Sequence, residues 1–148
     1  MKFIVLSRDN IKNWKTDEKH IVISVYGPTD KDGPAILKDQ DSRIDKLVLA
    51  FHDIDERTKD VVEKCPNSSL SKKLVFMSDQ DAKDIVSFVR RYIDKVDLIV
   101  CQCDAGISRS SAIAAALSKC INGIDESYFI DYLPNMFIYT KIMKEWYE

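Results

Sequence analysis

Cysteine, histidine, glycine and proline are all scarce in this sequence, and none of its apolar runs is long. Each shortage excludes something. The four cysteines, Cys65, Cys101, Cys103 and Cys120, include no Cys-x-x-Cys pair and are too unevenly placed for the disulfide framework of a small secreted fold, so free thiols are expected. Two histidines, His20 and His52, are too few to build a metal site with scattered thiols, and both are read as structural or exposed. Four glycines and four prolines in 148 residues leave no room for a collagen-like repeat. The run Phe3 to Leu6 is too short for a membrane span or a signal-peptide core, so no membrane association and a cytoplasmic location are expected. An excess of one charge is missing too: 22 Lys and Arg stand against 24 Asp and Glu, a net −2, and no nucleic-acid partner is expected.

What is present is the composition of a folded chain, 45% hydrophobic and 31% charged, at the length of one domain spanning residues 1–148. Short apolar runs rich in β-branched residues occur at Phe3 to Leu6, Ile21 to Val25, Leu47 to Phe51 and Leu98 to Val100. None alternates cleanly with polar residues, so all four read as strands buried on both faces. Ser78-Asp79-Gln80-Asp81 predicts a capped helix start, followed by Ala82, Ile85, Val86, Val89, Tyr92 and Ile93 at helical spacing. Further helices are predicted over Ser110 to Asn122, stopped by Gly123, over Glu126 to Tyr132, and after Pro134, where Asn135 can cap a helix with Tyr139, Ile142, Met143 and Trp146 on one side. The stretches Gly27 to Arg43 and Thr58 to Lys73 read as surface loops or short helices. Strands followed by helices predict an α/β fold with a mainly parallel central sheet of about four to five strands flanked by helices.

The chemistry concentrates after Leu98, where the chain reads Leu-Ile-Val-Cys-Gln-Cys-Asp-Ala-Gly-Ile-Ser-Arg-Ser-Ser-Ala-Ile-Ala-Ala-Ala-Leu: a buried strand, a short loop, then a helix. Unpaired N–H groups and the dipole at a helix start attract an anion, and Gly106 lets the loop backbone approach it closely. Arg109 can fork two hydrogen bonds to a phosphate, and the field that holds a phosphate also favours a thiolate at Cys103. A nucleophile and an oxyanion clamp would then face one phosphorus atom.

The arrangement Cys-x5-Arg-Ser resembles the cysteine-dependent protein tyrosine phosphatases, and the continuation Gly-Ile-Ser-Arg-Ser-Ser-Ala-Ile-Ala is similar to their compact dual-specificity branch. The likeness is tight from Val100 to Leu117 and looser elsewhere. It implies a tyrosine phosphatase-like fold and a phosphomonoester hydrolase in which Cys103 attacks phosphorus to form a phosphocysteine. By the same likeness Arg109 binds the phosphate, Ser110 stabilises the departing thiolate, and Asp104, Ala105, Gly106, Ile107, Ser108 and Arg109 form the substrate loop. The implied partner is a phosphorylated protein or peptide, with phosphate or another oxyanion in the loop, and no metal or organic cofactor is called for. An Asp from another loop should protonate the leaving oxygen. The segment Phe51-His52-Asp53-Ile54-Asp55 resembles the part of the family that carries it, with Asp53 fitting best and Asp55 second.

One departure stands out: Gln102 occupies the position before the nucleophile where the family usually has His. Gln can hydrogen-bond to the loop but adds no positive charge, and Asp104 subtracts from it, so slower turnover than in typical members is expected. The loop contains no Lys, which argues against a highly phosphorylated inositol headgroup. A disulfide between Cys101 and Cys103 is disfavoured, because residues two apart on a strand lie about 6.6 Å apart, near the limit for bridging. Two rival functions stay open: the same chemistry on a nonprotein phosphate such as a nucleotide, a phosphoinositide or an RNA 5′ phosphate, and a catalytically weak phosphate-binding module. Rhodanese-like and arsenate-reductase-like proteins fit less well, since the acid-bearing strand lies upstream and the loop late in the chain.

Overall fold

A computed structural model describes residues 1–69 and 73–148. Four strands, β1 (Lys2–Leu6), β2 (His20–Tyr26), β3 (Arg43–Ala50) and β4 (Leu98–Gln102), form one parallel sheet in the order β1-β4-β2-β3. Six helices are described: α1 (Arg8–Ile11), α2 (Glu56–Lys64), α3 (Asp79–Tyr92), α4 (Arg109–Asn122), α5 (Glu126–Asp131) and α6 (Met136–Tyr147). The architecture is the α/β sheet with flanking helices that the apolar runs predict.

Successive side chains on a strand point to opposite faces, and the two central strands use both. Ile21, Ile23 and Val25 of β2 and Ile99 and Cys101 of β4 enter the main core with Ile85, Val89, Ile113, Leu117 and Ile142 from α3, α4 and α6. Val22, Leu98 and Val100 face the other way, onto Ile11 of α1 with Trp14, Ala35 and Leu37 beside it. The long helices therefore cover one face, and α1 with extended backbone covers the other.

Buried on both faces holds for β2 and β4 but not for the other two runs. β1 and β3 are the sheet edges, and β3 alternates, with Ile44, Lys46 and Val48 outward and Leu47 and Leu49 inward. It also begins at Arg43, four residues before the apolar run, because an edge strand tolerates charged residues on its solvent side. The stretch 27–42 is the loop expected from its composition, and its Ala35 and Leu37 give the second face its cover. Within Thr58 to Lys73 the chain continues the helix α2 to Lys64, while 70–72 lie outside the described residues.

Helix ends follow their local signals. Ser78 and Asp81 form a reciprocal capping box at α3, Asn135 accepts the N–H of Ile138 at α6, and Gly123 closes α4 at φ 80°. The helix α4 lies in the middle of the protein, buried at every residue from Ser110 to Ser118. Its small alanines and serines let β4, β1 and α6 approach it closely, and full burial of Ile113 and Leu117 contributes roughly 1.5–3 kcal/mol each. Since all strands run the same way, their C-terminal ends gather Ser7, Gly27, Phe51 and Cys103 along one rim, where open α/β sheets bind ligands.

Candidate active site

The strand β4 ends at Gln102, and the chain turns through residues 103–108 into α4. The turn is laid against the end of β1: the Cys103 N–H donates to Leu6 O at 3.3 Å and the Arg8 N–H to Asp104 O at 3.0 Å. Gly106 makes the approach possible. Its φ is +68°, and a Cβ there would sit 2.8 Å from the Ser7 nitrogen and 2.9 Å from the Leu6 carbonyl carbon, closer than real Cβ atoms come. At the start of α4, Ser108 makes no side-chain capping bond and the first turn holds no acid, so its field is left for an anion.

Cys103 is buried, with Sγ 3.0 Å from Ser110 Oγ in the first turn of the helix. Gln102, also buried, accepts from Ser24 Oγ on β2 and donates through Nε2 to Cys103 O at 2.9 Å. A neutral amide thus fixes the Cys103 backbone to the neighbouring strand. Arg109 donates through Nη1 to Phe51 O at 3.0 Å, and its Nη2 lies 3.5 Å from Asp104 Oδ2. Asp104 accepts from Arg8 Nε at 3.0 Å, and Arg8 in turn donates to the Gly33 carbonyl. Partial burial opposes ionisation of Asp104, but the Arg8 hydrogen bond, the contact with Asp30 and the charges of Arg109 and Arg8 outweigh it and hold the carboxyl below its usual range.

Across the loop, Asp53 follows β3 and accepts at Oδ1 from Ser108 Oγ (2.9 Å) and Asn135 Nδ2 (2.7 Å). Both donors reach the same oxygen, Oδ1. Asp55 is committed elsewhere: its carboxylate caps α2 by accepting the Thr58 N–H at 2.8 Å, and that bond lowers its pKa. His52 accepts the Val75 N–H at Nδ1 (2.9 Å), which leaves Nε2 to donate to Thr29 Oγ1 (3.1 Å), so it ties loops together. His20 lies buried at the start of β2.

Asp53, Cys103, Asp104, Ala105, Ile107, Ser108 and Arg109 line one cavity of about 370 Å³, and Leu133 completes its wall. Gly106 shapes the loop from behind. A larger cleft of about 620 Å³ near Asp17, Lys95 and Asp97, at the other end of the strands, is lined by no cysteine, serine or threonine. Among the described residues, no cluster of three or more His, Cys, Asp and Glu could hold a metal ion. Burial pushes the Cys101 thiol far above its usual pKa, with neighbouring Cys103 adding to the effect, and the Cys120 thiol is pushed up to about 11.

Three residues of this site went unread in the sequence. Asn135 was legible only as a helix cap, yet it also donates to Ile54 O at 2.9 Å and through its backbone N–H to Ser108 O at 3.1 Å, joining the loop after β3, the loop after β4 and α6. Leu133 and Arg8 reach the site only by folding, and neither sits in a local pattern that marks it.

No protein-family model matches the sequence, and no curated protein sequence matches it either. The fold is tyrosine phosphatase-like. A crystal structure that shows this is that of human tyrosine phosphatase-like serine/threonine/tyrosine-interacting protein, matched with a TM-score of 0.50 over 84% of this chain and 74% of that one, at 15% identity. Among the described residues, no helix is long and apolar enough to cross a membrane.

Proposed function

We propose that this protein is a cysteine-dependent phosphomonoester hydrolase acting on phosphotyrosine, or on phosphoserine and phosphothreonine, in proteins. The observation that carries this reading is one cavity lined by a buried thiol, a guanidinium and a carboxyl, Cys103, Arg109 and Asp53. In the proposed cycle the Arg109 guanidinium and the loop N–H groups hold the phosphate oxygens as Cys103 Sγ attacks phosphorus. The ester P–O bond breaks while Asp53 gives its proton to the leaving oxygen. Water then attacks the phosphocysteine and returns a proton to Asp53, and the S–P bond electrons go back to Sγ, which Ser110 Oγ stabilises as a donor. Asp53 supports the acid role better than Asp55, whose carboxylate is spent on capping α2.

Gln102, a neutral amide bound to Ser24 Oγ and to the Cys103 carbonyl, adds no positive charge beside Cys103, and this favours a phosphate-binding module as the second reading. Hydrolysis of an aryl phosphate, phosphotyrosine and phosphoserine peptides, a nucleotide and a phosphoinositide tests both. Turnover of the peptides, lost by orders of magnitude in Arg109→Lys because a point charge cannot replace a planar fork, supports the enzyme. Tight phosphopeptide binding without turnover supports the module.

A further inference from the structure

Leu133 is 75% exposed on a backbone that is firmly held. Its N–H donates to Ile107 O at 3.2 Å, Pro134 follows with a fixed φ, and the next N–H, of Asn135, donates to Ser108 O at 3.1 Å. The segment therefore rides on the anion loop, and Leu133 stands on the wall of the same cavity as Ile107, itself 46% exposed. Nothing in the core requires either side chain to be apolar. Asp53, Asp104 and Arg109 line the cavity as well, so it has two carboxylates and one guanidinium. Once that guanidinium is taken by a phosphate, any second anionic group on a substrate meets carboxylates.

We propose that Leu133, with Ile107, determines specificity by packing against the first atoms of the leaving group, selecting phosphate esters whose leaving group is flat and apolar, as an aryl phosphate is. This rests on the phosphatase reading above and narrows its substrate class. With phosphorus at Cys103 Sγ, a leaving group within the cavity meets the Ile107–Leu133 wall and Asp53, which line it together. An aromatic ring loses apolar surface to water against that wall, and a serine side chain is too short to reach it. A ribose or inositol would set hydroxyls against leucine and isoleucine without hydrogen-bond partners. Because the wall is already in position, little ordering cost offsets the contact.

The test uses Leu133→Ser and Leu133→Phe, exposed changes that leave the core intact, each also made in a Cys103→Ser background for binding. The kcat/KM ratio for phosphotyrosine over phosphoserine peptides of identical flanking sequence should fall about tenfold in Leu133→Ser, mostly through KM, and recover in Leu133→Phe. Dissociation constants in the Cys103→Ser background should move in parallel, and inhibition by inorganic phosphate should change less than about twofold. Binding of both peptides with an unchanged ratio overturns this assignment alone. Affinity for neither peptide overturns it together with the phosphatase reading. Self-association of the parent, abolished by Leu133→Ser with the ratio unchanged, would make the patch a contact between copies and overturn the assignment.

Discussion

Asn135 Nδ2 donates to Asp53 Oδ1 at 2.7 Å across 82 residues of sequence, while Asn135 Oδ1 accepts the Ile138 N–H at the start of α6. One side chain thus caps a helix and orients the candidate acid. Asn135→Ala should destabilise the fold by about 2–3 kcal/mol, combining a lost cap with a buried Ile54 carbonyl left without its donor. Asn135→Ser should regain about 1 kcal/mol of that through its own capping hydroxyl. Both should slow a phosphotyrosine peptide equally, by about tenfold, because neither reaches Asp53. Chemical denaturation and steady-state kinetics separate the two roles, and an activity loss that tracks stability across the variants would refute the positioning role.

Asp53→Asn should slow a phosphotyrosine peptide by about a hundredfold or more and an activated aryl phosphate much less, since a good leaving group needs little protonation. The alkaline limb of the pH profile should flatten. Asp55→Ala should instead lower stability through loss of the α2 cap and leave the leaving-group dependence intact. The reverse pattern would move the acid two residues along the loop.

How far these roles were legible depends on how many residues separate the partners. Cys103, Gly106, Arg109 and Ser110 lie within eight consecutive positions, and the strand, loop and helix that carry them follow local rules, so the element order and the place of the connecting loop could be read directly. Asp53 could be ranked ahead of Asp55 only by resemblance, because the cap that occupies Asp55 belongs to a helix that the polar composition of 56–64 concealed. Asn135, Leu133 and Arg8 are brought to the loop by tertiary packing alone, and no local pattern encodes that. The strand β3 was read too short for a related reason: its charged first half is stable only because a sheet edge faces water.

Gly106→Ala should be among the most damaging small substitutions. The added Cβ meets backbone atoms of Leu6 and Ser7, which cannot rotate away, and the residue would also be held at positive φ. A loss of about 2–4 kcal/mol is expected, with phosphate affinity down at least about tenfold, measured by denaturation and by competitive inhibition. Wild-type stability in this variant would mean that the loop does not rest on β1.

His20 gives the fold a mild acid sensitivity. Burial lowers its pKa from 6.5, the Arg43 charge adds to the effect, and the hydrogen bond to the Glu18 carbonyl only partly opposes it. The unfolded chain therefore binds a proton at His20 before the folded one does, so its contribution is full above about pH 6.5 and is lost as pH falls below that value, until folded His20 also protonates. His20→Gln should shrink the drop in unfolding free energy between about pH 7.5 and 5.5. An unchanged drop would assign the acid sensitivity to other groups.

The central claim is that Cys103 forms a covalent bond to phosphorus, and trapping that bond tests it most directly. Rapid acid quench of Asp53→Asn turning over an aryl phosphate, followed by peptide mass spectrometry, should find one phosphoryl group on the peptide carrying Cys103, because the carboxylate that activates water is gone. Cys103→Ser should show neither the adduct nor turnover while still binding vanadate through Arg109 and the loop N–H groups. Turnover that survives in Cys103→Ser would contradict the account.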